Sequence, residues 1–351
     1  MAGPALLAGA PLATAAGARP HTTGPYRVKD VRVVSGPSPF AAGCPGAFNG
    51  LAINGHELEP AITVNPANPR NIVATWKQDV GPANQSRSDL VASSLDGGKT
   101  WTRSTIPGLT TCTGGTADTG SDPWLSAGRD GTVYFSGLAA DLSTDPPTTA
   151  VVASHSPNGG RSWPAPATVA APLAGNEQPA ITASPTRAGH AYLAFANFLS
   201  PDMLPRTNPL QFSRTTNGGA TWSSPVLIDQ PSPFAIDFAP KILVLPDGTL
   251  LAVFARADFA AGLAQLYAVR SPMRGGRGCR PCWLAPSRSP PTPSMTRASP
   301  CRSRDSPAQR SPPTAASTSP SRTTSPRAQE RSAWPRRGTA AAPGAAPRCR
   351  G

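Results

Sequence analysis

One eight-residue pattern occurs three times in this chain. It reads Ser94-Leu95-Asp96-Gly97-Gly98-Lys99-Thr100-Trp101, then Ser156-Pro157-Asn158-Gly159-Gly160-Arg161-Ser162-Trp163, then Thr215-Thr216-Asn217-Gly218-Gly219-Ala220-Thr221-Trp222. The closing tryptophans are 62 and 59 residues apart. A fixed period longer than a hairpin and shorter than a domain is the mark of a repeat architecture. Each copy must belong to one structural unit that buries its apolar face against its neighbours.

The pattern reads as a strand–turn–strand corner. Asp or Asn followed by Gly-Gly supplies the left-handed dihedrals of a tight turn. The acid or amide can bond the turn's own amides, and the opening Ser or Thr can do so more weakly. The Trp is a large apolar anchor pinning the corner to the sheet. Asp96 could also be read as catalytic, but Asn158 and Asn217 stand in its place in the other copies. Asp96, Trp101, Asn158, Trp163, Asn217 and Trp222 are therefore expected to be structural.

The corners align their surroundings. Upstream lie Glu59-Pro60-Ala61-Ile62, Asp122-Pro123-Trp124-Leu125, Glu177-Gln178-Pro179-Ala180-Ile181 and, as a fourth cognate, Phe238-Ala239-Pro240-Lys241-Ile242. Each is a short apolar run closed by a turn signal, as a strand is. A second strand follows each time, a third runs into the corner and a fourth leaves it. Helical periodicity is absent throughout. The predicted fold is all-β, with repeats that are blades of a β-propeller; an unrelated β-sandwich is the alternative.

The corner is the pattern known as the Asp box, or bacterial neuraminidase repeat, and over residues 40–270 the chain resembles the sialidase superfamily of secreted, exo-α-sialidase-like proteins. The resemblance implies a partial six-bladed β-propeller of about four blades, followed by a disordered tail. It also implies hydrolysis of terminal acidic sugars by an intact parent protein, incomplete in this chain, with a glycan or glycoconjugate partner, a monomer, no cofactor and an extracellular location. Such boxes occur in non-enzymatic propellers too, so a carbohydrate- or protein-binding propeller without catalysis is the other functional reading.

Sialidases use a Tyr nucleophile, an Asp acid/base and three Arg on the sugar carboxylate; a planar guanidinium meets a carboxylate in two parallel bonds. The first Arg belongs to an R-I-P motif, and the matching place here reads Leu58-Glu59-Pro60-Ala61-Ile62, without it. The late-blade Arg and Tyr would fall beyond residue 271. Asp122 is the candidate acid/base. Arg206, Arg214 and Arg256 are candidate carboxylate ligands, and Arg256 is a candidate substrate-binding residue. From position alone, acids recur before the inner strand as Glu59, Asp122 and Glu177, with Asp237 three residues before Pro240. They are expected to converge at the channel mouth, either as substrate-binding groups or as acceptors for strand-end amides.

Composition breaks after Ser271. Residues 273–351 hold 15 Arg, no Lys and only Asp305 and Glu330 as acids, so the tail carries the whole net charge of +13. It has two aromatics and no nucleic-acid-binding module, and its Pro, Ser and Ala content predicts disorder. The fourth blade reaches Ser271-Pro272 where a box is due. Permitted codons for Pro272 to Gly278, read from one base before the Met273 codon, give D-A-G-R-T-W, which after Ser271-Pro272 makes S-P-D-A-G-R-T-W. The tail is thus expected to be out of frame. The expected division is a leader-like segment over 1–25, the propeller over 26–272 and the tail over 273–351. Cys44 and Cys112 are the cysteines of the propeller region and are expected to form a disulfide. Cys279 and Cys282 lack the second pair of a zinc site, and the four His share no ligand spacing, so no metal is expected. No apolar run is long enough to span a membrane.

Overall fold

The computed structural model describes residues 31–41, 44, 53–82, 84–197 and 207–271. The leader-like segment, the tail and Arg206 lie outside the described residues. Blade 1 comprises β1 (Glu57–Val64), β2 (Ile72–Gln78), β3 (Ser88–Ser94) and β4 (Thr102–Thr105). Blade 2 comprises β5 (Thr119–Ala127), β6 (Val133–Asp141), β7 (Thr148–Ser156) and β8 (Ala167–Leu173). In blade 3 these become β9 (Asn176–Ala183), β10 (Ala191–Asn197), β12 (Leu210–Thr215) and β13 (Val226–Asp229). These three sheets are antiparallel meanders, each four strands wide.

Blade 4 departs from the repeat. Its β14 (Ala235–Val244), β15 (Leu250–Asp258) and β16 (Leu263–Ser271) form the meander, but its fourth strand is β11 (Thr207–Asn208). That two-residue strand comes from the β10–β12 connection of blade 3 and runs parallel to β14, pairing Thr207 with Ala235 and Asn208 with Ile236. The inner strands β1, β5, β9 and β14 pack side by side in that order, as in a β-propeller.

The repeated corners show why Asp and Asn interchange. Ser94 Oγ donates to Asp96 Oδ1 at 2.8 Å, and the Thr100 amide donates to the same oxygen at 2.9 Å. Ser156 with Asn158, and Thr215 with Asn217, repeat both bonds. Only the far side differs: Asp96 Oδ2 accepts from the Thr100 hydroxyl, whereas Asn158 Nδ2 donates to Ser162 Oγ and Asn217 Nδ2 to Thr221 Oγ1. A hydroxyl serves either way. The Thr100 hydroxyl and amide, with Ser94, hold the Asp96 carboxyl well below the usual range.

The corners also join the blades. Gly160 has φ +87°, and a Cβ there would lie 2.9 Å from both methyls of Val73 in blade 1. Glycine is needed for the dihedral and for the close approach. Beside it, buried Asn71 donates from Nδ2 to Ser94 O at 3.1 Å and to Gly159 O at 3.0 Å, and accepts from Asn65 Nδ2 at 3.0 Å. Asn71→Ala should cost about 1–3 kcal/mol, because it leaves buried groups unpaired. Urea unfolding measures this, and an unchanged midpoint would mean that the blade 1–blade 2 corner contact contributes little.

Three apolar clusters fill the blade interfaces. Leu125 and Phe135 of blade 2 pack with Val73 and Val91 of blade 1. Ile181, Leu193 and Phe195 of blade 3 meet Tyr134 and Val151 of blade 2. Ile242 and Phe254 of blade 4 meet Tyr192 and Phe212 of blade 3. Trp163 is buried in the first of these, while Trp101 and Trp222 are partly buried at the margins of their clusters. A disulfide joins Cys44 to Cys112 with Cα atoms 5.4 Å apart, tying the segment before blade 1 to the blade 1–blade 2 connection.

Candidate functional site

Every inner strand carries the same distortion. Register shifts fall between Leu58 and Ala61 in β1, between Ser121 and Trp124 in β5 and between Phe238 and Lys241 in β14, with the matching break in the β9–β10 pairing. At each one a non-glycine residue before proline takes a left-handed backbone: Glu59 (φ 55°), Asp122 (φ 53°), Gln178 (φ 52°) and Ala239 (φ 52°). Such conformations cost on the order of 1–3 kcal/mol each and persist only where surroundings enforce them. The bulge breaks the ladder locally, and the freed amides find partners in the preceding blade.

Those partners form a chain around the centre. The Asp122 amide donates to Glu59 Oε2 at 3.1 Å, the Gln178 amide to Asp122 Oδ2 at 2.9 Å, and the Ala239 amide to Gln178 Oε1 at 2.6 Å. Glu59 and Asp122 thus both accept strand-end amides, one of the two roles expected of them. In blade 3 the register-equivalent residue is Gln178 and in blade 4 it is Ala239, not Glu177 and Asp237 as sequence position suggested. The signal was present as the residue before each proline, which charge alone passed over.

The four left-handed residues, with Pro60, Pro123, Pro179, Trp124 and Lys241, line a central cavity of about 330 Å³. That volume is at the lower end of the range for small-molecule sites. The Lys241 ammonium lies 3.6 Å from the centroid of the Trp124 ring. Neither residue was singled out from the sequence.

Carboxyls gather behind the cavity wall. Glu177 hydrogen-bonds through its side chain to Asp122; burial, then the Asp122 charge, pushes it up to about 7. Lys77, buried on β2, donates to Asn84 O at 2.7 Å and reaches Glu59 Oε1 at 3.5 Å. Its cross-strand partner Asp89 is fully buried, and neither of its oxygens has a hydrogen-bond partner among the described residues. Burial holds Asp89 well above the usual carboxylate range; Lys77 opposes this, while Asp122 and Glu59 add to it. Gly120 and Gly137 make room for it, since a Cβ on either would stand 3.2 or 3.1 Å from Asp89 Oδ2.

Raised carboxyls make the folded protein hold protons that the unfolded chain releases, so stability falls as pH rises between the two values. For Glu177 the window runs from 4.5 to about 7. Asp96, whose carboxyl is depressed, loses its contribution only below the usual carboxylate range. Thermal melts should therefore show stability declining from pH 4.5 toward pH 7, and Glu177→Gln should flatten that decline. An identical slope in the variant would show that Glu177 is not the group holding the proton.

Asp237 and Arg256 are not brought to the cavity. Arg256 grips Asp237 through Nε–Oδ1 at 2.6 Å and Nη2–Oδ2 at 2.8 Å, donates also to Asp229, and stands 4.5 Å from the Tyr267 ring centroid. Burial moves Asp237 up to about 6 against the pull of Arg256, with Asp229 adding to the rise. Both residues are taken up by this cross-strand pair. Arg214 lies on β12 and is not among the cavity residues. No group of His, Cys, Asp or Glu with metal-holding geometry occurs among the described residues, and no helix there is long and apolar enough to cross a membrane.

No family model and no curated protein matches the chain. Among solved structures, a protein of unknown function from Dyadobacter fermentans is similar at 16% identity and a TM-score of 0.45, over 66% of this chain and 68% of its own. A Hadza microbial sialidase is similar at 14% identity and a TM-score of 0.43, over 65% of this chain and 45% of its own. An α-L-arabinanase from Penicillium chrysogenum, complexed with arabinobiose, is similar at 18% identity and a TM-score of 0.43, over 67% of each chain.

Proposed function

We propose that this propeller binds a glycan in its central cavity and acts on it as a glycoside hydrolase, with Asp122 and Glu177 as the acid–base unit. The observation that carries this reading is Asp122 lining the cavity with Glu177 beside it, behind the wall, where burial and then the Asp122 charge raise Glu177 to about 7. A proton held by Glu177 to near neutrality suits protonation of a leaving oxygen. Hydrogen-bonded carboxyls stand too close to flank a scissile bond, which requires about 5 Å or more. The pair is therefore one catalytic unit, and the group attacking the sugar must come from elsewhere.

In the sialidase type that group is a Tyr, and arginines grip the substrate; their matching places fall beyond residue 271, outside the described residues. Among the described residues Arg256 is held by Asp229 and Asp237, so the acidic-sugar preference of that type has no support from the cavity. A non-catalytic glycan-binding propeller is the second reading, favoured by the oxygens that Glu59 and Asp122 each commit to a neighbouring blade's amide. The Cys44–Cys112 disulfide supports an oxidising, extracellular setting.

Turnover of a panel of fluorogenic glycosides, with glycan binding measured in parallel, tests the proposal. Turnover that declines as pH rises through about 7, and loses that limb in Glu177→Gln, is the expected result. Binding without turnover would favour the second reading, and the absence of both would overturn the two together.

A further inference from the structure

Trp124 and Lys241 occupy the same register position in their blades, two residues beyond the left-handed one; the equivalents are Ala61 in blade 1 and Ala180 in blade 3. The residue between them in the ring of blades is thus small, and the Lys241 side chain from blade 4 reaches the indole from blade 2. Trp124 is packed on one side against the core cluster shared by blades 2 and 3. The Lys241 ammonium nitrogen stands 3.6 Å from its ring centroid. An exposed lysine is a movable cover: its stem is flexible, and its charge regains full hydration in the solvent. Partial desolvation at the ring pulls Lys241 below its ordinary range, against the attraction of Asp122.

The charge around the ring decides what can replace that cover. Glu59 and Asp122 line the cavity, and Lys241 is the cation among its lining residues. A sugar bearing a carboxylate would set its charge against both acids. A sugar of hydroxyls alone would donate to carboxylate oxygens, which only accept, and lay an apolar ring face on the indole.

We propose that the cavity selects neutral saccharides, which stack on Trp124 by displacing Lys241 and donate hydroxyls to Glu59 and Asp122. This rests on the reading of the cavity as a glycan site and adds the sugar class and the two residues that set it. Trp124 is the specificity-determining platform. Lys241 competes with the sugar for the same ring face, so its removal strengthens binding.

Calorimetric titration of the full chain with xylotriose, cellotriose and sialyllactose, using the wild type, Trp124→Ala and Lys241→Ala, tests this. The neutral trisaccharides should bind in preference to sialyllactose. Lys241→Ala should tighten them by about two- to fivefold, the release of an exposed cation–π contact, and Trp124→Ala should weaken them about tenfold. Lys241 is exposed, so its variant stays informative if Trp124→Ala fails to fold. Neutral binding unaffected by Trp124→Ala, or weakened by Lys241→Ala, would overturn the platform. Tighter binding of sialyllactose, lost in Lys241→Ala, would overturn the sugar class but leave the glycan site standing. No binding of any of the three by folded protein would overturn this inference and the glycan reading alike.

Discussion

Leu125→Ala is expected to cost about 2–5 kcal/mol of stability, as deletion of a buried leucine side chain does, whereas Ile62→Ala should cost well under about 1 kcal/mol, as exposed substitutions do. The two residues hold the same register position in β5 and β1, three residues past the left-handed bulge. Leu125, Ile181 and Ile242 are 4%, 1% and 2% exposed, but Ile62 is 66% exposed. The middle inner strands each press this side chain into the preceding blade, where Val73 and Val91 receive Leu125. Blade 1 has no preceding blade among the described residues. Burial of an aliphatic side chain is worth about 1.5–3 kcal/mol before any cavity penalty, and Ile62 gains almost none of it. Urea unfolding of both variants measures the contrast. Equal losses would show that Ile62 is covered in the folded protein.

Asp122→Asn should lower turnover by about 10²–10⁴-fold, the range for loss of a general acid or base, while Asp96→Asn leaves it unchanged. Asp122 reaches the cavity and shares a hydrogen bond with Glu177. Asn there removes the Asp122 charge, which adds to burial in raising Glu177, so Glu177 moves back toward its ordinary range. Asp96 lies in the β3–β4 corner, bonded to Ser94, Lys99 and Thr100. Asn158 and Asn217 already make the same corner with their Nδ2 donating to the hydroxyl, so Asn is a proven occupant. Steady-state kinetics on one substrate compares the two variants. Equal effects on turnover would remove Asp122 from the acid–base role.

The blade plan was legible in the sequence because its determinants are local. Ser94, Asp96 and Thr100 bond one another within a span of a few residues, so the corner is written out contiguously and its recurrence marks the period. The strands likewise announced themselves through apolar runs and turn residues. The fourth strand of blade 4 did not, because Thr207 and Asn208 join β14 from the connection of the preceding blade.

The site lay largely beyond such reading. The Asp122 and Glu59 charges both act on Glu177 in the fold. Yet Gln178 and Ala239 hold the equivalent backbone place, and what distinguishes them is a left-handed φ and a bond to a residue one blade away. Arg256 and Asp237 looked free until β14 and β15 paired them. The repeat, its turns and its strands depend on groups a few bonds apart, so the amino-acid sequence by itself determined them. Whether a carboxyl keeps its proton, or an indole faces a cavity, depends on dielectric surroundings and on charges brought together from different blades. Only the packing of blade on blade decided those properties, because burial and Coulomb energy follow distance in space and not along the chain.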